Sequence, residues 1–249
     1  MQATTIDEVI GYLDTIIADT TAQQSKLAYF TILYRKVTIA VKEGIEKGEF
    51  ENNPRMEHLD VVFANRYLMA YSQFQAGEKP SSCWEVTFEA VNKFWPIVLQ
   101  QLLAGINAHI NLDLGIAAAE IAPGDEIESL KGDFYKINDI LSSMVEGVQA
   151  DINKISPVIG VLDWFAGKLD ERLVDFSIQV ARDGAWEFAK EYARANPEQR
   201  AALTTKRDAS IAWLGKDITQ PGLIIGGVAG FIRLFEWASV QKVIQTLES

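Results

Sequence analysis

The sequence predicts an all-α fold: a single domain over residues 1–249, built as a bundle of about eight to ten helices around a buried central helix near 96–121. Three observations predict it. Apolar residues recur at spacings of three and four along almost the whole chain, and strict alternation is rare. Cap residues, prolines and glycines punctuate the pattern where helices start and stop. Hydrophobic residues make up 48% of the chain and aromatics 10%, enough for a sizeable core.

Taken in order, Thr5 with Glu8 forms a capping box that opens a helix through about residue 19. A longer helix follows over 25–47, with Leu27, Phe30, Leu33, Val37, Val41 and Ile45 on one stripe and Gly48 placed to end it. Asn53-Pro54 reads as an N-cap followed by a residue suited to the first turn; the helix it opens carries Leu59, Phe63, Tyr67 and Tyr71 and ends near Gly77. Ser82 with Glu85 repeats the capping box for a short helix containing Trp84 and Phe88. Pro96 opens the central helix, which "APGD" breaks after Ile121. The next helix spans 132–154 with Phe134, Ile137, Leu141, Val145 and Val148 inward. Ser156-Pro157 starts a short segment through Phe165, and a helix after Gly167 runs to about Ala195. Asn196-Pro197 ends that helix and starts another. "QPG" at 220–222 precedes one last helix carrying Phe231, Phe235 and Val240.

Charge removes some function classes. A net charge of −11 and a pI near 4.7 argue against nucleic acid or an anionic membrane surface as partner, since both reward clustered Lys and Arg. Cys83 is the single cysteine, so no intrachain disulfide forms, and the N-terminus lacks a secretory pattern; a cytoplasmic location is expected. The uncharged run Phe94 to Leu112 approaches transmembrane length, but Gln100, Gln101, Asn107, His109 and Asn111 would be costly in lipid, so no membrane span is expected.

The central helix carries the chemistry. At ~100° per residue, with Asn107 as origin, Asn111 falls near ~40° and Gln100 near ~20°, one line of amides. His109, Asp113 and Glu120 fall near ~200–240°, almost opposite, with apolar residues between. Such a helix is surrounded by others, and its polar groups must find partners inside. Gly105 and Gly115 permit close approach of neighbours. Two readings of His109 and Asp113 stay open. They form a structural link; or, four residues apart on one face, they reach one divalent metal ion or one substrate atom, the carboxylate fixing the imidazole tautomer for acid–base work. Asp133 is the candidate third ligand, or a charge favourable to its own helix N-terminus. With His58 the only other histidine, multi-zinc chemistry is excluded.

Arg66 borders the apolar stripe of its helix and either clamps a substrate anion or pairs with Asp113 or Asp133. Arg182, with Asp183 and Trp186, has the same two readings, and Tyr67 belongs to an aromatic stripe that suits core or pocket wall. Cys83 lacks a nearby base, and "GLIIGGVAG" lacks the strand and lysine of a phosphate loop.

At this point the sequence resembles a largely bacterial, all-helical family of unknown function. The likeness rests on "FANRYLMAY" (63–71), "CWEVTFEAV" (83–91), "LLAGINAHINLDLGIA" (102–117), "GDFYKINDIL" (132–141) and "ARDGAW" (181–186), covering about 55–190. Its G-x-N-A-H-I-N-x-D-L core is the most specific part. The resemblance implies an all-α fold and singles out His109, Asn111 and Asp113; it implies no reaction. The expected function is an enzyme acting on a small, largely apolar molecule inside the bundle. His109, Asp113 and Asn111 are its catalytic candidates, and Arg66, Asn107, Arg182 and Tyr67 its substrate contacts. Hydrolysis is the first reaction class; isomerisation or cyclisation, or a non-catalytic scaffold in which the cluster is structural, are the alternatives.

Overall fold

The computed structural model describes residues 1–159, 178–236 and 239–249. Among them the chain is all helical: α1 (Ile6–Ala22), α2 (Leu27–Glu46), α3 (Asn53–Gln75), α4 (Ser82–Ala90), α5 (Val98–Ala108), a π-helical segment (His109–Leu114), α6 (Gly115–Ile121), a 3-10 segment (Gly124–Leu130), α7 (Lys131–Ile155), α8 (Ile178–Arg194), α9 (Pro197–Thr219), α10 (Leu223–Phe235) and α11 (Val240–Glu248). These are eleven α-helices where the pattern predicts eight to ten. The expected short helix through Phe165, the start of the helix after Gly167 and the side chain of Val145 lie outside the described residues.

The caps show where local rules held and where tertiary partners replaced them. Thr5 Oγ1 accepts from the Glu8 amide at 3.2 Å, but the Glu8 carboxylate turns to Thr4 rather than completing the box. Asn52, one residue before the expected cap, accepts from the Arg55 amide at 3.1 Å, while Asn53 accepts from the Phe50 amide at 3.3 Å. The Ser82–Glu85 box does not form. The Ser82 and Cys83 amides instead donate to the Asp208 carboxylate of α9, at 2.8 and 2.9 Å, so a distant acid supplies the cap. Asn196 and Gln199 make a full reciprocal box at the start of α9. Gly48 ends the α2 region at φ +71°, a conformation that costs a β-carbon dearly.

The expected last helix is two. The chain breaks at Glu236, whose buried carboxylate accepts from the Val98 amide at the start of α5 and from Ser156, and Ser239 then caps α11. An acid drawn inward to satisfy another helix's end cannot also continue its own helix.

The central rod, α5 through α6, packs against α2, α3, α4, α7, α8 and α9. By length and composition Val98–Ile121 is apolar enough to cross a bilayer, but its most apolar window is 83% buried inside the fold, the position of a core helix. Gly105, against the Phe30 ring, and Gly115, against α8, are the rod's close approaches. A β-carbon at Gly115 would stand 2.7 Å from Phe188 and 2.9 Å from the Ala185 carbonyl, so α8 can lie on the rod only because residue 115 has no side chain. Where α5 meets α6, the helix widens into the π-turn, within which both His109 and Asp113 fall. Such bulges are rare and concentrate at functional sites.

Candidate functional site

Four elements meet at the π-turn. Asp113 is buried and takes three N–H groups. Arg66 Nε of α3 donates to Oδ1 at 2.9 Å, and Trp84 Nε1 of α4 donates to Oδ2 at 2.8 Å. His109 Nδ1 lies 3.1 Å from the same Oδ2. Burial opposes the charge on Asp113, but Arg66, His109 and Trp84 together hold its carboxyl below the ordinary range, so it is ionised near neutral pH. An ionised acceptor places the proton of a neutral His109 on Nδ1 and leaves Nε2 as the basic nitrogen. Burial pushes the His109 pKa down, against the pull of Asp113, so the ring is neutral at pH 7.

The imidazole sits in an aromatic cage. It stacks on Phe63 with ring centroids 3.6 Å apart and meets the edge geometry of Tyr34 at 4.5 Å. Its Nε2 is buried and has no hydrogen-bond partner. His109 also lines a cavity of about 450 Å³ between α2, the central rod and α7, within the ~300–1,000 Å³ range of small-molecule sites. The lining is mostly aliphatic and aromatic, with Tyr34, Asp60 and Arg182 among its polar members. Tyr34 Oη, Asp60 Oδ2 and Arg182 Nε are buried without partners. Burial, with Glu57 adding to it, pushes the Asp60 carboxyl up to about 7, and burial keeps the Tyr34 hydroxyl protonated.

The structure sorts the expected residues into three groups. His109 and Arg182 line the cavity. Asp113 and Arg66 stand behind the imidazole with Trp84, which sequence reasoning did not place in the site; Arg66, expected either as an anion clamp or as a partner of Asp113 or Asp133, is in a 2.9 Å ion pair with Asp113. Asn107, Asn111 and Tyr67 are committed elsewhere. Asn107 Nδ2 donates to the Ile211 carbonyl of α9 at 2.9 Å, Asn111 Nδ2 donates to Asn107 Oδ1 at 3.1 Å, and Tyr67 Oη bonds Thr31 Oγ1 at 2.6 Å. Gln100 keeps to the predicted amide line: it accepts from the Ile97 amide and, like Asn107, donates to an α9 carbonyl, that of Ile218.

Asp133 does not join the pair. Its carboxylate accepts from the Glu51 and Asn52 amides and from Arg55, tying the start of α7 to the loop before α3. His58 and Glu120 are exposed. Among the described residues no three His, Cys, Asp or Glu side chains converge as a metal cluster, and both Asp113 oxygens are already bonded. The expected His109–Asp113–Asp133 ligand set is therefore not assembled. Cys83 is buried, and burial raises its thiol pKa well above the ordinary value, as an inert core cysteine requires.

Sequence reasoning missed Asp60 and Tyr34. A signal existed for Asp60: it lies beside Leu59 and three residues before Phe63, on the edge of the apolar stripe, with no cation three or four residues away to pair with it. Tyr34 carried none, because a tyrosine on an apolar helix face is ordinary core.

No curated protein and no solved structure gives a significant match to the chain. A family model does match, over residues 6–221, most of the length and all of the site just described. The chain belongs to this family, described as a family of unknown function (DUF5995).

Proposed function

We propose that the protein is an acid–base enzyme acting on a largely apolar molecule held in the cavity, with His109 Nε2 as the base. The observation that carries this reading is a neutral imidazole, part of the lining of an apolar cavity, whose tautomer Asp113 sets and whose other nitrogen is buried and unpartnered. A purely structural histidine would spend both nitrogens.

Asp60 favours proton relocation, as in an isomerisation, over hydrolysis. With a pKa of about 7, a fraction of it is protonated at neutral pH, while His109 is unprotonated; titratable groups pushed apart in this way make an acid and a base. His109 removes a proton from one position of the substrate, Asp60 delivers one to another, and exchange with solvent restores both groups. The Tyr34 hydroxyl supplies a hydrogen bond to a polarised oxygen. Hydrolysis by water activated at His109 uses the same base, but the described residues of the cavity lining offer no Ser, Thr or Cys for a covalent intermediate.

The test incubates the protein in D2O with aliphatic enones and β,γ-unsaturated ketones, and in parallel with p-nitrophenyl esters. Deuterium incorporation in the native protein, lost in His109→Phe at unchanged melting temperature, is the expected result. Ester cleavage lost in the same variant would select hydrolysis. Neither activity above buffer, or equal rates in the variant, would overturn the enzyme reading.

A further inference from the structure

Arg182 is the least explained polar residue in the protein. It is 3% exposed and lines the cavity, and among the described residues no carboxylate is in ion-pair contact with it, although the Asp183 charge acts on it from a distance. Its Nη2 donates to the Phe134 carbonyl and its guanidinium lies over the Phe134 ring at 4.7 Å, while Nε has no partner. Burial drags its pKa down to about 10, so it is still charged at neutral pH. A buried guanidinium that no described carboxylate contacts is costly, and its planar fork matches a carboxylate.

The cavity around it is long rather than round. Its lining on α7 runs from Phe134 to Ile152, a rise of ~27 Å. Shared core clusters fix what lies beside each end. Phe134 packs with Leu114 and Val41, whereas Ile152 packs with Leu102 and Ile32, so α7 runs antiparallel to both α2 and the central rod. Arg182 therefore marks one end and the aliphatic Leu102, Val148 and Ile152 the other, with His109 and Tyr34 between them. Exposed Gln149 and Asn153 also line the aliphatic end, which places the charge at the deeper one.

We infer that the cavity binds a long-chain carboxylate, head inward on Arg182 and tail along α7. The pairing of a single buried cation with an elongated aliphatic channel matches a monoanionic amphiphile; a phosphate dianion would bring a second charge that no other cation among the described lining residues meets. The assignment rests on the ligand-cavity reading above and deepens it. A carboxylate held at Arg182 brings a position along the chain, not the head group, to His109.

Binding is measured on the full chain after delipidation, by calorimetry with hexadecanoate, hexadecanol and octanoate. Loss of a charge-assisted hydrogen bond corresponds to about tenfold to a hundredfold in affinity, so hexadecanoate binds tighter than hexadecanol by that factor. Octanoate, leaving the aliphatic end unfilled, binds more weakly still. Arg182→Met erases the acid–alcohol difference and Arg182→Lys keeps most of it. Equal affinity of acid and alcohol in the native protein overturns the carboxylate assignment without touching the cavity reading, and needs no variant to fold. Absence of binding by any chain overturns both. Val148→Trp, which narrows the aliphatic end, lowers hexadecanoate affinity and spares octanoate; equal loss for both overturns the head-inward orientation.

Discussion

Two polar pairs lie on opposite sides of one helix, each four residues apart, and they have opposite fates. Asn107 and Asn111 bond each other and are closed off by α9: Asn107 reaches the Ile211 carbonyl, and Arg207 donates to the Asn111 carbonyl at 2.9 Å. His109 and Asp113 also bond each other, but the pair is supported from one side only. Arg66 and Trp84 saturate the acid, while His109, a residue of the cavity lining, keeps one buried nitrogen without a partner. Identical spacing thus ties one face to the neighbouring helix and leaves the other with an unpartnered nitrogen beside a cavity. What separates them is the neighbouring helix, which presents a carbonyl to the amides and aromatic rings to the imidazole.

The sharpest way to break this contrast is Asp113→Ala. It strips Arg66, Trp84 and His109 of their common acceptor and leaves a largely buried cation unpaired, at an expected cost of about 3–5 kcal/mol in denaturant unfolding. A loss below about 1 kcal/mol would mean that the acid is dispensable to the fold.

Asp60→Asn tests the cavity side through pH. Asp60 ionises near 7 when folded against 3.8 for the ordinary side chain, so between those values the folded state holds a proton that the unfolded chain has released. Stability therefore falls as pH rises from about 4 to 7, by at most ~1.4 kcal/mol per pH unit from this group. The asparagine variant should flatten that slope and melt higher than the native protein at pH 8. An unchanged profile would show that Asp60 is not the titrating group.

On the amide side, Asn107→Ala should cost ~1–3 kcal/mol, because it strands the Ile211 carbonyl and Asn111. Ligand binding in the cavity should be unchanged. A binding defect in this variant would erase the distinction between the two faces.

The smallest stability effect is expected for His109→Phe. It keeps the stack on Phe63, deletes the orphaned nitrogen and gives up one hydrogen bond, a net change of about 1 kcal/mol or less. It should also remove a pH effect of the opposite sign to that of Asp60. Below about 6.5 the unfolded chain takes up a proton that the buried ring resists, so native stability falls as pH drops, and the variant loses that dependence.

Much of this was legible in the residues. Apolar spacing and cap residues define the helices, because burying one stripe and satisfying helix ends are local requirements. The two polar lines of the central helix follow from ~100° per residue, and a cation bordering an apolar stripe pointed to Asp113 or Asp133 as a structural partner of Arg66, of which packing chose Asp113. Three things were decided only by packing. Caps at α4 and α5 come from Asp208 and Glu236, more than a hundred residues away, because an acid anywhere in the chain can meet an exposed helix N-terminus once the fold brings it there. Asp133, Asn111 and Tyr67 found structural partners, since a side chain's role depends on which backbone or hydroxyl the adjoining helix presents. The cavity, whose lining includes Arg182, Asp60 and Tyr34, each with one partnerless buried atom, was decided by packing, and the sequence marked only Asp60 and Arg182 as unusual, because a space is defined by what neighbouring helices fail to fill. The sequence by itself determined which residues had to be buried together; the tertiary structure alone decided which of them were left without a partner.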